Sequence, residues 1–206
     1  MSLKRFPITN VDDIVGAYRD SDEKLYASLE LNQVAFPKTG MVVSQTPLGA
    51  AFTKAAPCEN GMWVVADKAA GAINPPAAAT DTPIGIVYTS EKEYDIMHYG
   101  LQRFGRKVAG DYPRVGIWGL GDTVTTNCLQ YDDSEFEDDE DAAEHSALFE
   151  ALEAIDTTPL YVKAVAGSAV PQITATKPTA GTYAKVVKFY TVPNGGKGVK
   201  YQIVHL

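Results

Sequence analysis

The sequence has 206 residues, 45% of them hydrophobic and 21% charged, with a formal net charge of −8. A chain of this length buries roughly 70% of its unfolded surface, so it can build a core without metal or disulfide staples. No apolar run reaches the ~20 residues of a membrane-spanning helix, MSLKRFPITN lacks the apolar stretch of a signal peptide, the two cysteines make neither a zinc site nor a disulfide framework, and the acidic balance disfavours binding to nucleic-acid phosphates.

The first segment carries Leu3, Phe6 and Ile8 with few apolar neighbours to bury them, and Lys4 and Arg5 stand beside them. These five residues are the expected partner-binding set, the basic pair steering onto an acidic surface and the segment ordering on contact. Asn10 before VDDIVGAYR suits a helix start, and Val11, Ile14, Val15 and Tyr18 are spaced for one helix face. EKLYASLEL fits either helix or strand. Residues 1–33 therefore read as an N-terminal arm or helical lead-in, and residues 34–206 as a β-domain.

From Val34 the texture changes to short runs punctuated by Gly and Pro. The expected strands are Met41–Ser44, Ala50–Thr53, Met62–Ala66, Ile84–Tyr88, Arg103–Val108, Val115–Leu120 and Asp122–Thr126. Turn signals separate them at Pro47-Leu48-Gly49, Glu59-Asn60-Gly61, Asn74-Pro75-Pro76, Gly110-Asp111, Gly119 and Gly121. Ala77-Ala78-Ala79, between the double proline and Asp81-Thr82-Pro83, reads as loop.

The stretch from Asp132 to Asp156 holds twelve of the 26 acidic residues and no Lys or Arg, so the rest of the chain carries 18 basic residues against 14 acidic ones. A near-neutral body thus bears one acidic element. A solvated helix face or loop is its simplest reading; a calcium site and a contact with a basic partner are the alternatives, and DDSEFEDDED has no glycine for an EF-hand turn. Ser134 and Glu137 form a capping-box pattern. Leu148, Phe149, Leu152 and Ile155 then make one apolar stripe. These signals predict a helix across roughly 138–154, docked by its C-terminal half, inside an insert at 132–156.

After Pro159 the strands resume at Leu160–Val165, Gln172–Thr174, Ala184–Thr191 and Val199–Val204. Asn194-Gly195-Gly196 marks a hairpin between the last two, and the final strand is expected to be tied into a sheet. The fold class expected is mainly β: an antiparallel barrel or sandwich with one acidic helical insert and a short N-terminal arm.

Chemistry-bearing patterns are sparse. His98, His145 and His205 are far apart, and Asp141 with His145 is more often a surface ion pair than a metal site. Cys58 and Cys128 lack a nearby histidine pattern and read as inert thiols. Gly116-Ile117-Trp118-Gly119-Leu120-Gly121 has the wrong glycine spacing for a dinucleotide loop, and a strand follows it, so it reads as a turn between strands. No G-x-S-x-G is present. The expectation is no catalytic set, no cofactor and no metal. Twenty aromatic residues, eleven of them Tyr, suit a protein that makes interfaces.

Three stretches together resemble structural proteins of tailed-bacteriophage heads: GMWVVADKAAG at Gly61–Gly71, PIGIVYTSEKEYD at Pro83–Asp95, and GLGDTVTTN at Gly119–Asn127. The first two look like the strand pair of small β-barrel decoration proteins, in which P-I-G-x-V forms the second strand; the third looks like the G-D-x-V strand start of the same proteins. The resemblance implies a non-enzymatic capsid auxiliary or head-fibre protein that binds the major capsid protein or another virion protein. It also implies self-assembly as a homo-oligomer, most simply a trimer, and a virion location reached from the host cytoplasm, with neither nucleic acid nor membrane as partner. A tail or adaptor protein of the same virion, and a small β-domain enzyme or carbohydrate-binding module with a loop-built site, are the competing readings.

Overall fold

The computed structural model describes residues 3–6, 29–34, 42–67, 70–88, 106–132, 134–136, 146–191 and 197–206. In chain order its strands are β1 (Leu3–Arg5), β2 (Leu29–Gln33), β3 (Val42–Val43), β4 (Cys58–Glu59), β5 (Trp63–Asp67), β6 (Ala72–Asn74), β7 (Ile84–Val87), β8 (Arg106–Lys107), β9 (Val115–Ile117), β10 (Thr123–Thr126), β11 (Gln130–Asp132), β12 (Tyr161–Val165), β13 (Ser168–Thr174), β14 (Tyr183–Thr191) and β15 (Lys197–His205). Helix α1 (Ser146–Glu153) lies between β11 and β12. The protein is mainly β, with two packed sheets in a sandwich-like or barrel-like arrangement.

The larger sheet is curled and runs β1-β11-β13-β12-β14-β15-β10-β2; the smaller runs β3-β9-β7-β5-β6; and β4 pairs with β8 alone. Most pairs are antiparallel, as expected for this texture. The exception is β11 with β13, paired in parallel at Gln130↔Gln172 and Tyr131↔Ile173. The connection between them passes through α1 and β12, long enough for the crossover that a parallel pair needs. Pro171 sits inside β13 where the register against β12 shifts between Lys163 and Val165, the kind of irregularity that tolerates a residue without an N–H.

The smaller sheet is buried on both faces, which is why β7 reads IGIV and β9 reads VGI without polar alternation. Trp63, Ile84 and Ile86 point into the main core with Val124, Tyr131, Val162, Ile173, Tyr201 and Ile203 of the larger sheet. Val64, Val87, Val115 and Ile117 point the other way, into a second core closed by Leu48, Phe52, Cys58, Met62 and Cys128. Gly85 faces that second core opposite Ile117. A Cβ there would meet Val115 Cγ1 at 2.5 Å and the Gly116 carbonyl at 2.8 Å, so glycine is what lets β9 lie this close to β7.

The turns follow their local chemistry. Gly61, Gly110 and Gly121 have φ of 91°, 87° and 89°, the left-handed region glycine enters without strain. Aspartates brace three turns by accepting backbone N–H bonds: Asp111 from Val108, Asp122 from Gly119, and Asp81 from Ala77 and Ala78. The last of these holds the alanine stretch as a loop.

The expectations need several corrections. Ala50–Thr53 is a turn, with Phe52 buried and the Thr53 hydroxyl accepting from Ala56 N. β4, β6 and β11 are two or three residues long and carry too little periodicity to announce themselves. EKLYASLEL ends extended, its last residues opening β2 against β10. Residues 10–18, the Asp138 end of the expected helix and the Asn194-Gly195-Gly196 turn lie outside the described residues, although the strands flanking that turn do pair.

The apolar stripe of the insert docks as its spacing predicts. Leu148 and Leu152 are buried, and Phe149 and Ile155 pack half-buried against the main core. Phe149 stacks on Phe189 of β14 at 5.3 Å between ring centroids. Because one side of Phe149 stays wet, Phe149→Ala should cost about 2 kcal/mol, below the ~3–5 kcal/mol of a fully buried phenylalanine. Urea unfolding checks this, and no loss would mean the helix contributes nothing through that ring.

Candidate interaction surface

The N-terminal residues singled out in the sequence do not form a free arm where they are described. Leu3, Lys4 and Arg5 make β1, an edge strand paired with β11 as Leu3↔Asp132, Lys4↔Tyr131 and Arg5↔Gln130. Phe6 N donates to the Leu129 carbonyl at 2.9 Å, and the Phe6 ring is 1% exposed, edge-on to Phe149 and Phe189. The expectation that Phe6 lacks neighbours is therefore corrected: they arrive from β11, α1 and β14, more than a hundred residues away in sequence. Of the described apolar residues of this set, Leu3 stays exposed and Phe6 does not; Ile8 lies outside the described residues. The other edge of the larger sheet is β2, so both edges come from the first 33 residues, and the expected boundary at residue 33 does not separate them from the β body.

Arg5 ties β1 to the small β4–β8 sheet through an ion pair, its Nη2 lying 3.2 Å from Glu59 Oε2. The pair borders a cavity of about 360 Å³ between the turn at Ala51–Pro57 and the β12–β13 turn at Gly167–Val170. That volume falls within the lower range of small-ligand pockets. Its walls are mainly small and apolar, and Arg5 and Glu59 neutralise one another at its charged end.

Cys58 and Cys128 sit in the second core close to this pair, both as free thiols. Burial pushes the Cys58 thiol far above its ordinary value, with Cys128 and Glu59 adding to the shift. Burial likewise pushes Cys128 from 9.0 up to about 12, against the opposing pull of Arg5. Neither thiol ionises near neutral pH, so neither has the thiolate that nucleophilic chemistry requires. Iodoacetamide at pH 8 should leave both unlabelled in the folded protein and modify both in urea, read by intact mass; rapid labelling of the native chain would contradict their burial. The thiols also set a sign for alkaline pH. Unfolded thiols lose protons near 9.0 while folded Cys128 keeps its proton to about 12, so its contribution to stability falls as pH rises through that window.

Among the described residues no three His, Cys, Asp or Glu side chains gather as a metal site. Asp141, His145 and His98 lie outside the described residues. His205 stacks on Tyr183 at 5.0 Å, and its Nδ1 lies 2.8 Å from the Gly181 carbonyl, an acceptor that requires a proton on that nitrogen. Two acids of the 132–156 run are structural. Asp132 accepts from the Ser134 hydroxyl and backbone N, which holds its carboxyl below the usual range despite the opposing effect of burial. Glu135 accepts from the Thr174 hydroxyl and from Ala175 N, fixing the end of β13.

A second surface escaped the reading of the sequence. Register sets the outer face of β12, β14, β15 and β10: Lys163 lies beside Tyr183, Tyr161 beside Lys185, Lys185 beside Gln202, Gln202 beside Thr123, and Lys188 beside Lys200. Their chain neighbours Val162, Ala164, Ala184, Val186, Val199 and Tyr201 are all in the core, so these residues face outward. Lys185, Val187, Lys188, Gln202 and Val204 are exposed. The signal was present in the sequence: Thr157 to Leu206 contains six lysines and no carboxylate. No protein-family model, curated protein or solved structure matches the chain.

Proposed function

We propose that the chain is a structural protein of a tailed-bacteriophage virion that binds the capsid shell in many copies, as a decoration, auxiliary or head-fibre protein, and performs no chemistry. The observation that carries this reading is the pairing of the two stretches that resemble the decoration-protein strand pair. Residues 61–71 and 83–95 contribute β5 and β7, neighbours in register at Trp63↔Ile86 and Val64↔Gly85. The glycine of the P-I-G pattern is the residue that admits β9 against β7. The third stretch supplies the Gly121 turn, Asp122 as its brace, and β10. Exposed Leu3 on the β1 edge, with Lys4 and Arg5 beside it, remains the candidate shell contact.

Titration of the purified chain against empty shells of the encoding phage tests the reading. Saturable uptake at a fixed copy number per shell supports it. No uptake, together with no labelling of intact virions by antibodies to the chain, overturns it. A ligand-binding β-domain is the second reading, and the cavity beside Arg5 and Glu59 is the observation behind it. A small-molecule fragment screen by NMR, with shifts confined to Phe52, Glu59 and Val170, would favour that reading.

A further inference from the structure

The charge of this chain is segregated along its sequence. Twelve carboxylates and no basic residue lie between Asp132 and Asp156, followed by six lysines and no carboxylate to Leu206. Among the described residues, Glu150, Glu153 and Asp156 of the acidic run lie on one side of the larger sheet and Lys163, Lys185 and Lys200 of the lysine run on the other, while Asp132 of β11 lies near enough to Lys163 to feel its charge. Helix α1 packs on the inner side: Leu148 and Leu152 are buried in the main core, Phe149 stacks on Phe189, and Phe189 is beside core residue Val199. Lys197 belongs to that side too, its Nζ 5.5 Å from the Phe189 ring and 5.8 Å from the Phe149 ring. Glu150, Glu153 and Asp156 are exposed at the helix and its end. Lys163, Lys185 and Lys200 face outward on the other side, with Lys188 beside Lys200. The sheet therefore keeps these two charged surfaces of one copy apart.

We propose that the lysine face of β12, β14 and β15 docks the acidic helix flank of a second copy, head to tail, with Glu150, Glu153 and Asp156 of one protomer meeting Lys163, Lys185 and Lys200 of the next. Each copy then offers one donor and one acceptor surface, a heterologous contact that propagates or closes into a ring according to its rotation. Exposed Val187 and Val204 supply apolar area among the charges, and aromatic Tyr161 stands in the same face beside Lys185. A second copy is favoured over a free polyphosphate because the matching acidic surface of Glu150, Glu153 and Asp156 travels on every chain, whereas the net charge of −8 opposes either occupant at long range. The proposal rests on the reading above of a protein that works in many copies, but its test needs no shell, so either can fail without the other.

The test is sedimentation velocity on the full chain across salt. Screening lengths fall from about 30 Å at 0.01 M to about 3 Å at 1 M, so self-association should be strong at low salt and lost at high salt. The triple reversal Lys163→Glu, Lys185→Glu, Lys200→Glu should weaken association by at least about tenfold, as should Glu150→Lys, Glu153→Lys, Asp156→Lys. Mixing the two variants should restore association between unlike chains, since each then supplies the surface the other lacks. Circular dichroism melts verify that both variants fold; should either not fold, the single reversals Lys185→Glu and Glu153→Lys replace the triples. A monomer at every salt concentration, association unaffected by both reversals, or mixed variants that stay apart would overturn the proposal. So would a single-stranded oligonucleotide that binds the wild type but not the lysine variant while the chain itself stays monomeric.

Discussion

Trp63→Ala should lower stability by about 3–5 kcal/mol, the range for truncating a fully buried large aromatic. Trp63 is 0% exposed on β5, with its ring 5.8 Å from Trp118 and 5.9 Å from Tyr201, and those two are 6.2 Å apart. All three contacts are edge-to-face, so the triad joins β5, the end of β9 and β15 across the two sheets. The indole Nε1 of Trp63 donates to the Tyr201 hydroxyl at 3.0 Å. Burial raises the Tyr201 phenol well above its ordinary value, so the hydroxyl keeps its proton. Tyr201→Phe separates the polar part from the packing part: the ring stays, but the Trp63 N–H is left unpaired in the core, at about 1–3 kcal/mol. Trp118 gives the contrast, because its Nε1 has no hydrogen-bond partner among the described residues. Trp118→Phe therefore loses contact area and no hydrogen bond. Urea unfolding followed by circular dichroism ranks the three variants, with Trp63→Ala most damaging. A cost below 1 kcal/mol for Trp63→Ala would mean that the triad does not hold the sheets together.

The parts of this fold that were legible in the sequence are those whose physics is local. Ile84–Val87 and Trp63–Asp67 announced themselves because both faces of the smaller sheet are buried, which turns each strand into a nearly continuous apolar run. Gly121 and Gly110 announced turns because only glycine takes those φ values cheaply. The helix stripe was legible because Leu148, Phe149, Leu152 and Ile155 repeat at the helical period. What failed was what depends on distant neighbours. β1 has three residues and no pattern, and its partners come from β11, α1 and β14. The parallel β11–β13 pair depends on a crossover that no local signal encodes. The ion pair of Arg5 with Glu59 joins residues 54 apart. The lysine face was hidden for a different reason: a net charge of −8 averages it away, and only the absence of carboxylates after Asp156, combined with strand alternation, gathers the lysines onto one side. Alternation was readable, but register was needed to show that Lys163, Lys185 and Lys200 share a face.

Deleting residues 1–6 should destabilise the chain by at least the ~3–5 kcal/mol that a buried phenylalanine carries. A segment that only binds a partner would leave the free protein unchanged, so the experiment separates two roles of one strand. Phe6 is 1% exposed and contacts Phe149 and Phe189, so its loss opens a cavity where β1, α1 and β14 meet. Removing Arg5 also takes away the guanidinium 3.2 Å from the Glu59 carboxylate, which is 9% exposed, an added penalty because losing an ion-pair partner of a buried charge is unfavourable. The backbone of β11 loses its pairing along Gln130–Asp132 on that side. Total stabilities of natural domains run about 5–15 kcal/mol, so the deletion removes a large share of the whole. For a chain near 200 residues, each kcal/mol shifts the melting temperature by roughly 2–4 °C, which makes the expected fall about 6–20 °C. Phe6→Ala should reproduce most of it, Arg5→Met a smaller part, and Leu3→Ser almost none, since Leu3 is 42% exposed. Shell uptake measured on the same variants then reads the second role. Leu3→Ser should weaken uptake at unchanged melting temperature if the β1 edge is the contact. A truncated chain that melts with the wild type would restore the free arm and remove Phe6 from the core.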